Sequence, residues 1–312
     1  MNGLDIVVLN NVGGGQSVYV PNLPAPGESV KGHDWRYNID SGKGPNSAIC
    51  MGRLGARVAF LGKAGADEAG DRAEGWMREA GVDTSGLLRT ERAHTGQGIR
   101  IMGPNGRHMC ICGESCSWTL TEEEVRAELD RLQPARFLFT GLEIRLSLAL
   151  TAIKHAKALG MTTVFNLSPV PADEALGDLS DVDYLAVNEV EGAQLVGIAD
   201  WHELAPREIA QRIKDKYHCG CVLLTLGADG CALLRDEEYI RIPRAEVDTI
   251  DTIGAGDGFL SAFTVNLSWG KTPGEACRWA NEYAAYTTTR EGSIPSYPML
   301  ADIEKYMEER LK

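Results

Sequence analysis

The chain has 312 residues, 44% apolar and 24% charged, the proportions of a soluble globular protein and not of a disordered tail, a collagen-like repeat or a coiled-coil rod. Its 31 basic against 44 acidic side chains leave a formal charge of −13, which repels nucleic acid and anionic membrane in the absence of a local basic patch, and the sequence shows none. No apolar run approaches the ~18 residues needed to span a bilayer, and the first ten residues lack a cationic head and include Asp5, so no signal peptide is expected.

In chain order, a short apolar strand over 4–9 runs into Asn10-Asn11-Val12-Gly13-Gly14-Gly15. Two stretches of period-two character follow, 17–20 and 29–39, then a helix over about 45–54, a strand over 57–61 and a helix over 68–80. In the stretch 96–113, Asn105-Gly106 separates two alternating runs, a strong hairpin signal because both turn residues need φ > 0. From Thr121 the texture becomes strand–helix alternation: helices near 122–132, 147–159 and 207–217 between strands near 137–140, 162–166, 184–187 and 221–226. Three closing helices are expected near 256–269, 273–290 and 299–311. Such alternation predicts an α/β fold, a three-layer αβα sandwich with a mostly parallel central sheet, plus a small β-sheet flap or lid. The expected division is a core of 1–14, 43–95 and 118–312 and a lid of 15–42 and 96–117.

Eight cysteines are present, with Cys110/Cys112 and Cys219/Cys221 as C-x-C pairs. Neither zinc knuckles nor a matching His pair accompanies them, so they read as small core residues, both thiols of a pair on one face of a strand. Reduced thiols and the absence of an export signal suggest the cytoplasm.

Ligands of open α/β sheets gather at the carboxyl ends of the strands, where glycine-rich segments compete. Gly13-Gly14-Gly15 lacks the G-x-G-x-x-G spacing, with Val18 at the third position, and Ser41-Gly42-Lys43-Gly44 lacks the upstream glycine and the hydroxyl of a P-loop. Asp251-Thr252-Ile253-Gly254-Ala255-Gly256-Asp257 differs, because it opens an apolar helical run. Free N–H groups and the dipole at such a terminus favour an anion, and an acidic residue within that site is electrostatically odd unless it takes a proton beside a phosphate.

This last segment resembles the C-terminal signature of the ribokinase-like carbohydrate kinases, the PfkB family. Asp40-Ser41-Gly42-Lys43-Gly44-Pro45-Asn46-Ser47-Ala48 resembles that family's N-terminal signature, and Pro24-x-Pro26-Gly27-Glu28 and Asn166-Leu167-Ser168-Pro169 fall in the family's order. The resemblance implies an ATP-dependent transfer of phosphate to a primary hydroxyl of a sugar, ribose by default, with Asp257 as catalytic base and Gly254, Ala255 and Gly256 as anion hole. It places sugar contacts at Gly13, Gly15, Gly42, Lys43, Gly44, Asn46 and Glu143. Nucleotide contacts fall at Asn188, Thr225, Gly227, Gly230, Gly256 and Asn281, and Mg²⁺ association at Asn188 and Glu191, which also spell a helix capping box. A K⁺ site would take Asp251 and Ser296 with backbone oxygens of Ile253, Thr287, Arg290 and Gly292. Trp35 and Tyr37, on one face of a lid strand, stack on substrate or, in the preferred reading, line a homodimer interface.

One position departs from the pattern. In many members the loop after the first strand carries an Asp that binds two sugar hydroxyls, and ungapped counting from Val7 and from Pro24 places Gly15 there. Ribose is weakened as the substrate, or another side chain such as Asn11 supplies the contact. A nucleoside kinase on the same fold and a non-catalytic sugar- or nucleotide-binding regulator remain as alternatives.

Overall fold

Strand β1 (Leu4–Leu9) is apolar from Ile6 to Leu9 because both faces of that stretch are covered: Ile6 and Val8 enter one core layer, Val7 and Leu9 the other. In the computed structural model, which describes residues 3–104, 108–113, 115–171 and 174–310, it is followed by β2 (Gly13–Tyr19), β3 (His33–Asp40), α1 (Lys43–Arg53), β4 (Val58–Gly65), α2 (Glu68–Glu79), β5 (Asp83–Thr90), β6 (Gly96–Met102) and β7 (His108–Cys112). Then come α3 (Glu122–Arg131), β8 (Ala135–Gly141), α4 (Leu146–Ala158), β9 (Thr162–Asn166), β10 (Tyr184–Asn188), α5 (Glu189–Val196), α6 (Pro206–Tyr217), β11 (Cys221–Thr225), β12 (Cys231–Arg235) and β13 (Glu238–Ile242). The closing helices are α7 (Ala255–Ser268), α8 (Pro273–Thr288) and α9 (Leu300–Arg310).

Among the described residues nine strands form one sheet in the order β13-β12-β11-β10-β9-β8-β1-β4-β5. All its pairings are parallel except those that add β12 and β13. One face packs against α1, α2, α7, α8 and α9, the other against α3, α4, α5 and α6, which is the expected αβα sandwich. No helix among the described residues is long and apolar enough to cross a membrane. Helix α7 is buried on every side from Asp257 to Ser268. Two of its polar residues bond its own carbonyls: Thr264 Oγ1 donates to Leu260 O at 2.7 Å and Asn266 Nδ2 to Ala262 O at 2.8 Å.

The small sheet has the order β3-β2-β6-β7, with β2 parallel to β6 and antiparallel to β3. β2 begins at Gly13, so the three glycines are a strand and not a loop, paired with Gly96, Gln97 and Gly98. The strands β6 and β7 pair antiparallel as a hairpin, while its turn Asn105-Gly106-Arg107 lies outside the described residues.

Three strands were not expected. β5 is an edge strand with few buried side chains, and β12 and β13 join through Asp236-Glu237, which carries no glycine or asparagine signal. The cysteine reading needs one correction. Cys219 and Cys221 are both buried core residues, but they enter opposite core layers because Cys219 precedes the strand. The side chains of Cys110 and Cys112 lie outside the described residues.

Candidate active site

The parallel strands direct their carboxyl ends to one edge, and there the small sheet faces the N-termini of α1 and α7 across a cavity of about 600 Å³. Gly254, the N-cap of α7, has φ +76°, a left-handed conformation, and a Cβ there would lie 2.6 Å from Ser293 Cβ. Only glycine fits. Its carbonyl accepts the Tyr297 hydroxyl at 3.1 Å and the Gly258 N–H at 2.8 Å, which locks the turn. Ala255 N–H is bonded to Thr252 O, whereas the N–H groups of Gly256 and Asp257 have no partner within the described residues. At Gly256 an added Cβ would meet nothing within 4 Å. Backbone donors and the positive end of a buried helix therefore face open space.

Asp257, 7% exposed, stands in the first turn of that helix and lines the cavity. Burial pushes its carboxyl above the ordinary aspartate range. The ammonium of Lys43 opposes that shift and the charge of Asp40 adds to it. Lys43 Nζ lies 3.4 Å from Asp257 Oδ1, and Asp257 is the chief reason that the lysine is held charged well above its usual range. Lys43 opens α1 after Gly42, whose φ of +82° again requires glycine. The backbone N–H of Lys43 donates to Glu143 Oε2 at 3.0 Å, so a carboxylate from the segment after β8 caps α1. Burial raises the Glu143 carboxyl also, against the pull of Lys43.

The cavity brings together Gly13, Gly15, Gly42, Lys43, Asn46, Glu143, Gly254 and Asp257 of the expected positions. Gly44 is not in its wall; a Cβ there would lie 2.4 Å from Asn11 O, so this glycine lets α1 pack against the end of β1. Sequence reasoning passed over Asp40, Gln16, Gln97, Arg100 and Trp118, which also line the cavity. The signal for Asp40 was its place in the glycine–lysine segment; the others lie on small-sheet strands or just after them and carry no motif.

Gly256 stands in the first turn of α7, whereas the other expected nucleotide positions lie apart from that cavity, on or just after neighbouring strand ends and on α8. Asn188 and Glu191 form the reciprocal capping box of α5, at 2.7 and 2.9 Å. The box uses Glu191 Oε2 and leaves Oε1 without a bond among the described residues, and the Glu191 charge helps to hold Lys43 protonated. A hard divalent ion fits such a free carboxylate oxygen. Thr225 ends β11, and Gly227 and Gly230 bound the turn after it with φ +49° and +85°. The glycine at 230 is required by the fold, since a Cβ would lie 2.2 Å from Ile242 O. Asn281 Nδ2 donates to Pro243 O at 3.0 Å, tying α8 to the segment after β13.

Asp251 links the turn before α7 to the segment after α8: its Oδ1 accepts from Ile253 N–H and its Oδ2 from Gly292 N–H, both at 2.9 Å. Those three residues line a second cavity of about 230 Å³, with Thr287, Arg290 and Ser296 outside its wall. Ser296 Oγ donates to Ser293 O at 2.7 Å, and Thr287 O accepts from Arg290 N–H at 3.2 Å. Each Asp251 oxygen keeps a further lone pair beside its backbone contact. Trp35 and Tyr37 stand 5.9 Å apart on one face, 46% and 62% exposed, and neither lines the main cavity.

Residues 15–300 match the pfkB family carbohydrate kinases. A ribokinase of Staphylococcus aureus is 29% identical over 302 residues, covering 96% of this chain and 98% of the relative. The solved ribokinase of Giardia lamblia superposes with a TM-score of 0.89 over 99% of each chain at 23% identity. The Arabidopsis thaliana ribokinase, complexed with ribose and ATP, gives a TM-score of 0.81 at 25% identity over 97% of this chain and 98% of its own.

Proposed function

The chain belongs to the pfkB family of carbohydrate kinases, and we propose on that premise that it transfers the γ-phosphoryl group of ATP to a primary hydroxyl of a monosaccharide, ribose or a related sugar. The observation that carries the reading is Asp257, a buried carboxylate beside unpartnered N–H groups at a helix N-terminus and 3.4 Å from an ammonium.

In the reaction the sugar hydroxyl oxygen attacks the γ-phosphorus, its proton passes to an Asp257 carboxylate oxygen, and the bond from phosphorus to the bridging oxygen breaks, releasing ADP. A base whose pKa is raised by burial takes that proton more readily than a solvated aspartate. The N–H groups of Gly256 and Asp257 stabilise charge on the transferring group, because phosphoryl transfer is chiefly positioning and electrostatics. Lys43 holds Asp257 in place and balances the added negative charge.

Asn188 and Glu191 are the residues to hold Mg²⁺, which when bound neutralises charge on the phosphates. Asp251, with carbonyls of Ile253 and Gly292, anchors K⁺ so as to stiffen the turn 251–257. Thr225, Gly227, Gly230 and Asn281 belong to the nucleotide side. Residues 15–42 and 96–117 act as a lid over the sugar, excluding the water that otherwise hydrolyses ATP, and the exposed Trp35 and Tyr37 suit a homodimer through that lid. A cytoplasmic setting accords with the free cysteines, all of them buried among the described residues. A coupled ATP-to-ADP assay over pentoses, hexoses and nucleosides, with and without K⁺, tests the reading. Failure to turn over any sugar overturns it, and preference for nucleosides selects the nucleoside-kinase alternative.

A further inference from the structure

Gly15 and Asp40 face each other across the β2–β3 ladder. A Cβ on residue 15 would lie 2.5 Å from Asp40 Cβ and 3.3 Å from its Cγ, so the space of a side chain at 15 is filled by the aspartate opposite. The register shifts between Gly15 and Gln16, the kind of irregularity that re-aims a side chain. Asp40 is 17% exposed and lines the main cavity with Asp257, Lys43 and Glu143. Its Oδ1 accepts from Gly42 N–H at 2.7 Å and from Asn46 Nδ2 at 3.0 Å, which fixes the carboxylate. Among the described residues its Oδ2 has only Arg100 at 3.6 Å, beyond hydrogen-bond distance, and is open to a further donor.

The geometry points to Asp40 as the carboxylate that binds substrate hydroxyls in this chain, relocated across one ladder rung from position 15, with Arg100 as its counter-charge. It rests on the sugar-kinase reading and narrows it. The ligand is a neutral polyhydroxylated monosaccharide, because a sugar acid would bring a fourth carboxylate to Asp40, Glu143 and Asp257 against two cations. Gly15 is a glycine because Asp40 needs its space.

Asp40→Asn keeps an acceptor for Gly42 and Asn46 and removes the charge. Sugar binding without ATP is measured by calorimetry with D-ribose, 2-deoxy-D-ribose, D-fructose, D-gluconate and inosine, and turnover with the same five compounds. The expected loss for Asp40→Asn is roughly 10- to 150-fold in affinity for the preferred neutral sugar, the range for a hydrogen bond to a charged group, with the KM for ATP unchanged. Gly15→Asp alone is expected to lose sugar binding by collision with Asp40, and Gly15→Asp with Asp40→Gly to regain it, because the carboxylate returns to the facing strand. The inference is overturned by Asp40→Asn binding every accepted sugar within threefold of the parent, by Gly15→Asp alone being tolerated, or by preference for D-gluconate. Sugar binding that depends on Asp40 without any turnover sinks the kinase reading and leaves Asp40 standing. Turnover indifferent to Asp40 does the reverse, and neither binding nor turnover removes both.

Discussion

Gly256 and Gly254 stand two residues apart at the same helix end, and alanine should affect them in opposite ways. At Gly256 a methyl group meets no atom beyond its own stretch of helix within 4 Å, and the backbone is already helical. Replacing a helical glycine by alanine stabilises by up to about 1 kcal/mol, which in a chain of this size raises Tm by about 2 °C or less. Helical Cβ atoms lean toward the N-terminus, so the methyl enters the space in front of the free N–H groups. If a phosphoryl group must approach them, kcat should fall by roughly 10²–10³, the cost of losing one such donor. At Gly254 the same substitution forces a left-handed residue, costing about 1–2 kcal/mol, and sets its methyl 2.6 Å from Ser293 Cβ, adding roughly 1–3 kcal/mol of overpacking. That variant should lose both activity and roughly 3–8 °C of Tm. Calorimetric unfolding and a coupled kinase assay on the two purified variants separate the cases. Gly256→Ala turning over within threefold of the parent refutes the assignment of those N–H groups to the transferring phosphoryl.

Asp257→Asn keeps the shape and removes the base, so turnover should drop by roughly 10²–10⁴ while nucleotide binding, read by calorimetry, persists; a kcat within threefold of the parent ends the assignment. Because the folded pKa of Asp257 lies above its usual value, that carboxyl contributes stability at low pH that is lost as pH rises through the folded value. The acid limb of kcat/KM should fall at a pH above the ordinary aspartate range. Lys43→Met, which removes the largest influence lowering that pKa, should move the limb to higher pH; an unmoved limb assigns it to another group. Potassium should activate, and Asp251→Asn should abolish the activation. Equal rates in K⁺ and in a bulky organic cation at matched ionic strength would count against a cation at Asp251.

The fold was legible where one periodicity dominated. β9 was expected at 162–166 and is found at Thr162–Asn166, and α6 begins one residue before its expected start. Continuous apolar runs such as β1 and β11 read as strands covered on both faces, and the two core layers divide their residues alternately. What escaped were strands whose identity is set by neighbours. β5 is Asp-Thr-Ser-Gly-Leu-Leu-Arg-Thr, with little apolar content of its own, and becomes a strand because β4 offers it an edge. The Gly13–Gly15 run, expected as part of the loop after the first strand, carries no strand signal of its own, since glycine weakens strands in general. It is a strand here because Gly96, Gln97 and Gly98 pair with it.

The site divides along the same line. Residues near in sequence and fixed by one backbone geometry, Gly254 to Asp257 or Gly42 to Lys43, could be read directly, since positive φ and a helix N-terminus leave a compositional mark. Asp40 could not, although it stands in a segment singled out for its glycines. A glycine at 15 shows in sequence only as a missing carboxylate. That another side chain fills the place follows from the pairing of Gly15 with Asp40, residues 25 positions apart whose register depends on a strand irregularity. A count along the chain aligns positions with positions, whereas a substrate meets surfaces. Two strands that face each other can exchange a functional group without changing what the ligand touches, and the exchange leaves a glycine on one strand and an acid on the other. In such a pair the informative substitution is the double one, because each single change removes a group or creates a collision, and only the reciprocal change restores one carboxylate to one space.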